Sequence, residues 1–586
     1  MKNLRTHSIK FISIIYLICL SFLDCFSQSN NYFESSKNME IFIELFKELD
    51  IFYVDEINSG ELIKTSIDKM LESLDPYTTY IPESDIEDFR FMTTGKYGGI
   101  GAMISKRGEY VIISEPYEGF AAQKAGLISG DKILEVNGTS AKGKNTEELS
   151  SILKGSPNTT VNILIQRNKD TLDFSFNRES VQIKSVLYSG FIEDQIGYIK
   201  LRSFTRNCAN DVKKALIDLK DKGELEGLIL DLRSNPGGLL NESIDLVNLF
   251  VEKGVEIVTT KGKIKDWEKT YKTKYNPIDI NIPLVILINS RSASASEIVS
   301  GSIQDLDRGV IIGKRSFGKG LVQQTRKLPY NSQLKVTVAK YYIPSGRCIQ
   351  SLDYSNKYSK YPEEELDNFI DWLQENKKGG IETDRLDLII KQMESRTKTP
   401  DSLLLKFNTL NGRIVKDGGG IYPDIITEKE NYSGIGLSLR RENLIFDFAT
   451  EFRLKNKNLI SVDEFNITDE IFEDFKTFLE KKEYNYKTDT EEGLKLLEEI
   501  AEHDSTLLLI SNDLENISQK IKNNKGYHLL NNKKEISEYL ASEIVSRYYY
   551  QKGRIQQDLK NDIDVKKAVQ ILTDIEEYNK ILNVTP

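Results

Sequence analysis

The middle of the chain contains a serine-rich segment and, downstream of it, a lysine. Serine and lysine are residue types that could together catalyse hydrolysis. The segment, residues 292–296, reads S-A-S-A-S, and Lys319 lies 25 residues after its middle serine, Ser294. The chain has three histidines, and none lies between His7 and His503. A serine nucleophile here lacks the usual histidine base, and lysine is the known alternative. The pattern predicts a hydrolase with a Ser/Lys pair.

The sequence around both residues resembles the motifs of a known enzyme family. Residues 292–298 read S-A-S-A-S-E-I, and residues 316–323 read S-F-G-K-G-L-V-Q. Together they resemble the carboxy-terminal processing peptidases of family S41, also called tail-specific proteases. The resemblance implies that Ser294 is the catalytic serine, Lys319 its base and Gln323 the glutamine that orients the lysine. It also implies the crotonase-like (ClpP-like) core fold of that family.

A lysine base must be neutral when it accepts the proton of the serine. The reference pKa of lysine is about 10.4, whereas a useful base has a pKa of roughly 7 to 8. Desolvation lowers the pKa of an amine, and Gly318 and Gly320 would let the backbone approach Lys319 closely. Gln323 is uncharged, so its carbonyl could hold the amine without strongly favouring the ammonium form.

Backbone N–H groups beside Ser294 would have to form an oxyanion hole. The amide of Ala295 directly follows the serine, and the start of a helix suits such a donor. Gly238, at the end of the turn-like segment 235–238, is the expected second donor because glycine allows close approach to a substrate. Structural alternatives exist for both. Ser294 and Glu297 have capping-box spacing and could simply begin a helix, and residues 235–238 could be a plain turn.

Residues from about 95 to 180 resemble a PDZ domain. Residues 125–138 carry the string A-G-L-x-x-G-D-x-I-L-x-V-N-G. The resemblance implies that a glycine-rich loop presents N–H groups to a peptide's terminal carboxylate while the peptide adds as a strand. We expect the side chain of Ile100 and a short helix at 121–125 to line the pocket. The loop residues are Gly98, Gly99, Ile100, Gly101 and Ala102.

Outside this module the chain reads as an α/β core between two helical regions. Apolar runs at 228–232 and 284–288 are typical of strands buried on both faces, and they alternate with helical segments, which favours a parallel sheet. The predicted fold class is α/β, a crotonase-like (ClpP-like) peptidase core with an inserted β-rich PDZ domain and helical N- and C-terminal regions. The predicted parts are a signal peptide (1–27), a helical region (28–94), the PDZ domain (95–180), the peptidase core (181–430) with an insertion near 351–410, and a helical extension (431–586).

The net charge and the cysteine content indicate which kinds of partner and which structural roles are expected. A net charge of -10 and a pI near 5.3 argue against general nucleic-acid binding. Removal of a signal peptide would leave Cys208 and Cys348, which are expected to be buried small hydrophobic residues rather than a disulfide framework. No cofactor or metal is expected, and His503 and His528 are expected to be solvated surface residues.

Three functions are open on the sequence. The first is an exported, periplasmic endopeptidase, soluble or membrane-associated but without a stable membrane span. Its expected partners are polypeptides with exposed C-termini, and a homo-oligomer or an adaptor protein is also open. The second is a catalytically silent PDZ-containing peptide binder, which the intact Ser294, Lys319 and Gln323 disfavour. The third is an acyl-CoA enzyme with the same core fold, which the PDZ-like module and the export signal disfavour.

Export is the first testable expectation. Basic residues precede a thirteen-residue apolar run, Phe11 to Leu23, which is too short to span a bilayer and fits a signal peptide. N-terminal sequencing should find that the mature chain begins near Gln28. An intact Met1, or a lipidated Cys25, would contradict this cleavage.

Overall fold

The computed structural model describes residues 32–193, 195–351, 405–428, 432–482, 489–523 and 525–584. The predicted signal peptide and most of the predicted insertion lie outside these residues. The chain divides into two compact units, Met1–Tyr80 and Ile81–Pro586, which are described separately.

The first unit is helical where it is described, as the sequence predicts. It contains helix α1 (residues 32–52) and helix α2 (Ser59–Glu72), and strand β1 (Thr79–Ile81) follows. The side chain of Asn58 caps the start of α2. The carboxylate of Asp75 accepts hydrogen bonds from the backbone N–H groups of the second and third residues after it. These hydrogen bonds stabilise the turn that follows α2.

The second unit opens with a short connection and a β-rich domain. The connection contains a 3-10 helix (Glu83–Asp85), α3 (Ile86–Thr94) and β2 (Lys96–Gly99). The β-rich domain contains β3 (Ala102–Arg107), β4 (Tyr110–Pro116), α4 (Ala121–Ala125), β5 (Lys132–Val136), β6 (Thr139–Ser140), α5 (Thr146–Leu153), β7 (Thr160–Arg167) and β8 (Asp170–Asn177). β2 pairs antiparallel with β9 (Glu179–Gln182), so the two connections of the domain to the rest of the unit are hydrogen-bonded to each other.

The β-rich domain has an antiparallel sheet of order β3-β4-β5-β7-β8, with β6 paired to β5. Its core includes Val111, Ile133 and Ile163, which are fully buried. The expected helix at 121–125 is confirmed as α4. Gly126 ends it with a φ of 92°, the left-handed conformation that glycine commonly adopts at the end of a helix.

An α/β core follows, with alternating strands and helices. Its elements are β10 (Val186–Glu193), β11 (Ile196–Leu201), α6 (Cys208–Lys222), β12 (Gly227–Asp231), α7 (Leu240–Val247), β13 (Glu256–Gly262), a 3-10 helix (Lys265–Trp267), β14 (Lys269–Lys272), β15 (Leu284–Ile288), α8 (Ala295–Asp305), β16 (Val310–Gly313), β17 (Leu321–Lys327), β18 (Gln333–Tyr342), β19 (Lys406–Asn408), β20 (Ile414–Lys416) and β21 (Ile425–Ile426).

One six-stranded sheet organises this core, in the order β10-β11-β12-β15-β16-β21. The β10–β11 pair is antiparallel, and the other four neighbouring pairs are parallel, as predicted. Every residue of β12 and β15 is buried, because α6, α7 and α8 cover one face of the sheet and C-terminal helices cover the other. A second sheet joins β14, β13, β18 and β17 in that order.

The C-terminal region is helical, as predicted. Its helices are α9 (Gly434–Arg441), α10 (Leu444–Lys455), α11 (Asp469–Glu480), α12 (Asp489–His503), α13 (Leu507–Asn523), α14 (Lys525–Asn531), α15 (Lys533–Leu559), α16 (Ile563–Thr573) and α17 (Ile575–Ile581). Helices α9, α10, α11 and α15 share a core that includes Phe448, Phe472 and Phe475. Helices α16 and α17 pack instead on the open face of the six-stranded sheet, so this region is part of the second unit's main body.

Two smaller expectations about single residues have mixed outcomes. Cys208 is fully buried as predicted, and burial with the nearby carboxylate of Glu242 raises the pKa of its thiol. Cys348 is only partly buried. His503 is solvated, with 90% of its side chain exposed, whereas His528 is half-buried. Among the described residues, no helix is both long and apolar enough to span a bilayer.

Candidate active site

Ser294 lies at the start of α8, in the turn that follows the buried strand β15. Its φ of 57° and ψ of -112° are unusual for a residue with a side chain. The structure holds this strained backbone from both sides: the N–H of Ser294 donates to Oε2 of Glu297 (2.7 Å), and its carbonyl accepts from the hydroxyl of Tyr341 (3.2 Å). Ser294 is half-buried, so the site remains open to solvent or a ligand.

The carboxylate of Glu297 is the hub of the site. It is completely buried. Its Oε2 accepts from the N–H groups of Ser294 (2.7 Å) and Lys319 (2.9 Å). Its Oε1 accepts from the hydroxyl of Ser316 and the N–H of Gly318, both at 2.6 Å. Burial raises the pKa of Glu297, and these four donated hydrogen bonds oppose that rise. One side chain thus joins the serine segment to the lysine segment.

Lys319 lies in the loop between β16 and β17, where glycines allow the close backbone approach expected from the sequence. Gly318 has a φ of 91°, and a Cβ there would lie 2.5 Å from the Cβ of Ser351. A Cβ at Gly320 would lie 2.7 Å from the backbone nitrogen of Gln350. The carbonyl of Lys319 accepts a hydrogen bond from Tyr341, the same hydroxyl that contacts Ser294. Both segments are therefore tied to one glutamate and one tyrosine.

Gln323 lies on β17, four residues beyond the lysine. Its side-chain amide donates to the hydroxyl of Thr337 on β18 (3.4 Å). β17 has a register shift between Val322 and Gln323, which places the glutamine opposite Thr337. The predicted contact between Gln323 and the amine of Lys319 stays a prediction.

The expected oxyanion loop packs directly against the serine. Residues 235–238 follow β12, and Gly237 and Gly238 have φ values of 95° and 148°. A Cβ at Gly237 would lie 2.9 Å from both the Cβ of Ser294 and the backbone nitrogen of Ala295. Residue 237 must therefore be glycine to leave the N–H of Ala295 accessible. That N–H is the first of α8, where a helix provides no internal acceptor.

Gly238 is held beside Phe204 by an isolated parallel bridge. The bridge uses the N–H groups of Phe204 and Leu239, which donate to the carbonyls of Gly237 (2.9 Å) and Phe204 (2.8 Å). The N–H of Gly238 lies outside that pairing. These bonds fix the loop beside Phe204, and the role of Gly238 as an oxyanion donor stays a prediction.

The neighbouring serines have structural contacts. The hydroxyl of Ser292 donates to the carbonyl of Leu232 (2.8 Å), and that of Ser296 donates to the carbonyl of Asn235 (2.9 Å). Both serines are fully buried. These hydrogen bonds connect the start of α8 to the segment that leads to Gly238.

The glycine-rich loop of the β-rich domain connects β2 to β3. Gly98 and Gly99 end β2, Ala102 begins β3, and Gly101 has a φ of 73°. Ile100 is 3% exposed and belongs to the domain core.

The side chain of Ile100 packs in the domain core, and the lining of the PDZ pocket by Ile100 and the helix at 121–125 stays a prediction. Helix α4 packs against β8, whereas the helix that packs against β3 is α5. β3 is an edge strand of its sheet.

Sequence reasoning missed Tyr341 and Gly237, and it gave Glu297 only a capping role. Tyr341 lies 47 residues from Ser294, so no local pattern connects the two. The capping-box spacing of Glu297 was visible, but its bonds to Gly318 and Lys319 depend on the tertiary fold.

Sequence profiles match three parts of the chain. Peptidase family S41 matches residues 195–354. A PDZ domain profile matches residues 112–167. The profile described as "Probable PDZ-protease, C-terminal helical domain" matches residues 435–572.

Processing proteases are among the similar proteins. A carboxy-terminal-processing protease of Bartonella bacilliformis is 34% identical over 370 residues, which cover 60% of this chain and 85% of the relative. A probable CtpA-like serine protease of Staphylococcus aureus is 34% identical, and the match covers 53% of this chain and 62% of that relative. A solved photosystem II D1 C-terminal processing protease is 31% identical, with coverage of 53% and 89% and a TM-score of 0.32.

The Glu297 hub gives a prediction about stability. In Glu297→Gln the amide group replaces one carboxylate oxygen, so two of the four donors lose their acceptor inside the protein. We expect the free energy of unfolding to fall by about 2–4 kcal/mol, measured by urea denaturation followed by circular dichroism.

Glu256→Gln is the matched control, because Glu256 is exposed at the start of β13. Its effect should stay within about 0.5 kcal/mol. Equal stability of the two variants would contradict the structural role of Glu297.

Proposed function

This chain belongs to the carboxy-terminal processing peptidases of family S41, and we propose that it is an exported serine endopeptidase that cleaves polypeptides near exposed C-terminal tails. One observation carries the catalytic part of the proposal. The buried carboxylate of Glu297 accepts hydrogen bonds from the backbone N–H groups of both Ser294 and Lys319. This shared acceptor supports a Ser294/Lys319 dyad.

In the proposed first step, Oγ of Ser294 attacks the carbonyl carbon of the scissile peptide while Nζ of Lys319 takes the hydroxyl proton. The N–H groups of Ala295 and Gly238 donate to the negatively charged oxygen that forms. A donor of this kind is worth about 100-fold in rate or more. When the carbon–nitrogen bond breaks, the Lys319 ammonium returns its proton to the leaving amine, and an acyl-serine remains.

In the second step, Lys319 takes a proton from water, whose oxygen attacks the acyl carbon. The ester bond breaks, and the proton returns to Oγ of Ser294. Gln323 orients the lysine amine in both steps. No cofactor or metal takes part in this scheme.

The PDZ domain selects the substrate by its tail. The loop from Gly98 to Ala102 receives the terminal carboxylate, and the preceding residues add as a strand along the edge of β3. Support comes from the position of β3 at the end of its sheet and from helix α5 beside it. Tail binding raises the effective concentration of the substrate at Ser294. It also gates the site if the bound tail favours one domain arrangement.

Two further expectations belong to the proposal. The six-stranded sheet with helices on both faces supports a crotonase-like core, and the N-terminal sequence supports export to the periplasm. A catalytically silent peptide binder is the alternative function, and the variants below separate it from a peptidase.

Dyad variants should abolish cleavage while leaving the fold intact. Ser294→Ala removes the nucleophile, Lys319→Ala removes the base, and Lys319→Arg retains a permanent charge that cannot accept a proton. The release of products from an unfolded protein, followed by mass spectrometry, should fall to background in all three. For the wild type, the rate should rise with pH as the amine of Lys319 loses its proton.

Two nearby residues serve as controls. Ser290→Ala changes an exposed serine four residues before the nucleophile, and Lys314→Ala changes a half-buried lysine five residues before the base. Both variants should retain activity within about twofold. Retained activity in Lys319→Ala would show that another base is used, and a wild type without activity would favour the silent binder.

Carboxylate recognition predicts a difference between two otherwise identical substrates. A peptide with a free C-terminus should have a several-fold lower KM than its amidated counterpart, because the amide lacks the charge that the loop receives. Steady-state kinetics on both peptides would test this. Equal KM and kcat values for the pair would contradict recognition of the tail by the PDZ domain.

A further inference from the structure

Arg233 lies where the peptidase sheet meets the C-terminal helices. It follows the end of β12 by two residues and directly precedes the loop that ends at Gly238. Its Nε and Nη2 donate to the two carboxylate oxygens of Asp231, at 3.0 and 2.8 Å. Asp231 is fully buried and also accepts from Lys200 (2.9 Å) and from the hydroxyl of Tyr198 (2.5 Å). The beginning of the loop is therefore anchored to the sheet.

The other side of the same guanidinium binds the C-terminal region. Nη1 and Nη2 of Arg233 donate to the two oxygens of Asp562, at 2.9 and 2.7 Å. Nη1 also donates to Oδ2 of Asp564, at 2.9 Å. Together with the contacts to Asp231, these bonds use all five N–H donors of the side chain. Arg233 thus has one orientation that satisfies both sides.

The charges favour this arrangement. Burial acts to raise the pKa of Asp231, but Arg233 and Lys200 outweigh it, so the pKa lies well below its ordinary value. Burial acts to lower the pKa of Arg233, but Asp231 and Asp562 outweigh it and raise the pKa. Both partners are therefore charged at neutral pH, and bidentate pairs between charged groups are strong and directional.

The loop beyond Arg233 is linked to the serine segment step by step. The N–H of Ser234, whose φ is 60°, donates to the side chain of Asn289 (2.9 Å). The side chain of Asn235 accepts from the N–H of Gly237 (2.9 Å), and its backbone carbonyl accepts from the N–H of Ala293 (3.1 Å). A shift of Arg233 would therefore be transmitted to Gly237 and to the start of α8.

We infer that the C-terminal helical region completes the active site, with Asp562 and Asp564 as positioning residues that fix the oxyanion loop through Arg233. The inference rests on the proposed function, because it assigns the loop to the stabilisation of the oxyanion. It extends that function to a region without a catalytic motif of its own. In this role the two aspartates help to stabilise the transition state through the position of the loop. They do not affect the binding of the substrate.

The helices also contact the sheet at residues other than these aspartates. Val565, Ala568 and Leu572 of α16 are buried against Ile229 and Val285 of the sheet. The hydroxyl of Tyr578 also contacts the backbone of Leu284, accepting from its N–H at 2.9 Å. Removal of one charge should therefore leave the helices docked, so that positioning and folding can be measured separately.

Asp562→Asn is the sharpest test. Asp562 is the N-cap of α16 and accepts from the N–H groups of Asp564 (3.0 Å) and Val565 (3.1 Å). Asparagine caps helices as well as aspartate does, so the cap is kept while the negative charge and one of the two acceptor oxygens that face Arg233 are lost. Asp574→Asn is the matched control, because Asp574 is the N-cap of α17, accepts from the N–H of Glu577 (3.0 Å) and is exposed.

In Asp562→Asn, kcat on a peptide substrate should fall about tenfold or more while KM stays within twofold, because a displaced oxyanion donor weakens only the transition state. Asp564→Asn should act in the same direction, and the double variant should lose more. Asp562→Glu, which restores the charge, should recover part of kcat. Asp574→Asn should match the wild type.

Unchanged kcat in both Asp562→Asn and Asp564→Asn, with an active wild type, would overturn the inference alone. Equal losses in Asp562→Asn and Asp574→Asn would also overturn it, since they would indicate a general effect of weaker caps. If Asp562→Asn does not fold, Asp564→Asn and Asp562→Glu decide the question. Absence of Ser294-dependent cleavage in the wild type would overturn the proposed function, and this inference with it.

Discussion

A buried carboxylate with four hydrogen-bond donors determines how the candidate site is built. Taking a charged group out of water costs several kcal/mol unless its partners are retained. Glu297 is completely buried, so the start of α8 and the loop that carries Lys319 must both stay in contact with it. The strained backbone of Ser294 persists because its N–H is one of these donors. The geometry of the serine and the position of the lysine segment thus have one physical cause.

The sheet explains why these parts meet. β12, β15 and β16 are parallel neighbours, so the loops that follow them leave from the same edge. The first loop carries Arg233 and Gly238, the second leads to Ser294, and the third carries Lys319. Each loop is then held in place by polar contacts. Aspartate carboxylates bind Arg233 in the first loop, and the carboxylate of Glu297 binds the other two loops. The parallel sheet supplies proximity, and the polar contacts supply orientation.

Local sequence patterns were sufficient to predict elements whose structure follows from neighbouring residues. β15 matches its predicted range, 284–288, because an uninterrupted apolar run can be satisfied only by burial on both faces. Patterns could not identify contacts between distant residues. Arg233 and Asp562 are 329 residues apart, and no local sequence pattern around either residue indicates that they are in contact. The burial of Ile100 is a related case, because a glycine-rich motif specifies the backbone, whereas the domain core decides where the side chain packs.

The two interfaces of the C-terminal helices differ in kind. Contacts with the PDZ domain are polar and partly exposed: Arg107 pairs with Asp447, at side-chain exposures of 22% and 34%, and Gln123 donates to Tyr550 (3.0 Å). Contacts with the catalytic sheet are apolar and buried. Partly exposed polar contacts contribute less stability than buried apolar area does. If tail binding moves the PDZ domain, the polar interface yields first, and the helices stay on the sheet with Arg233 held in place.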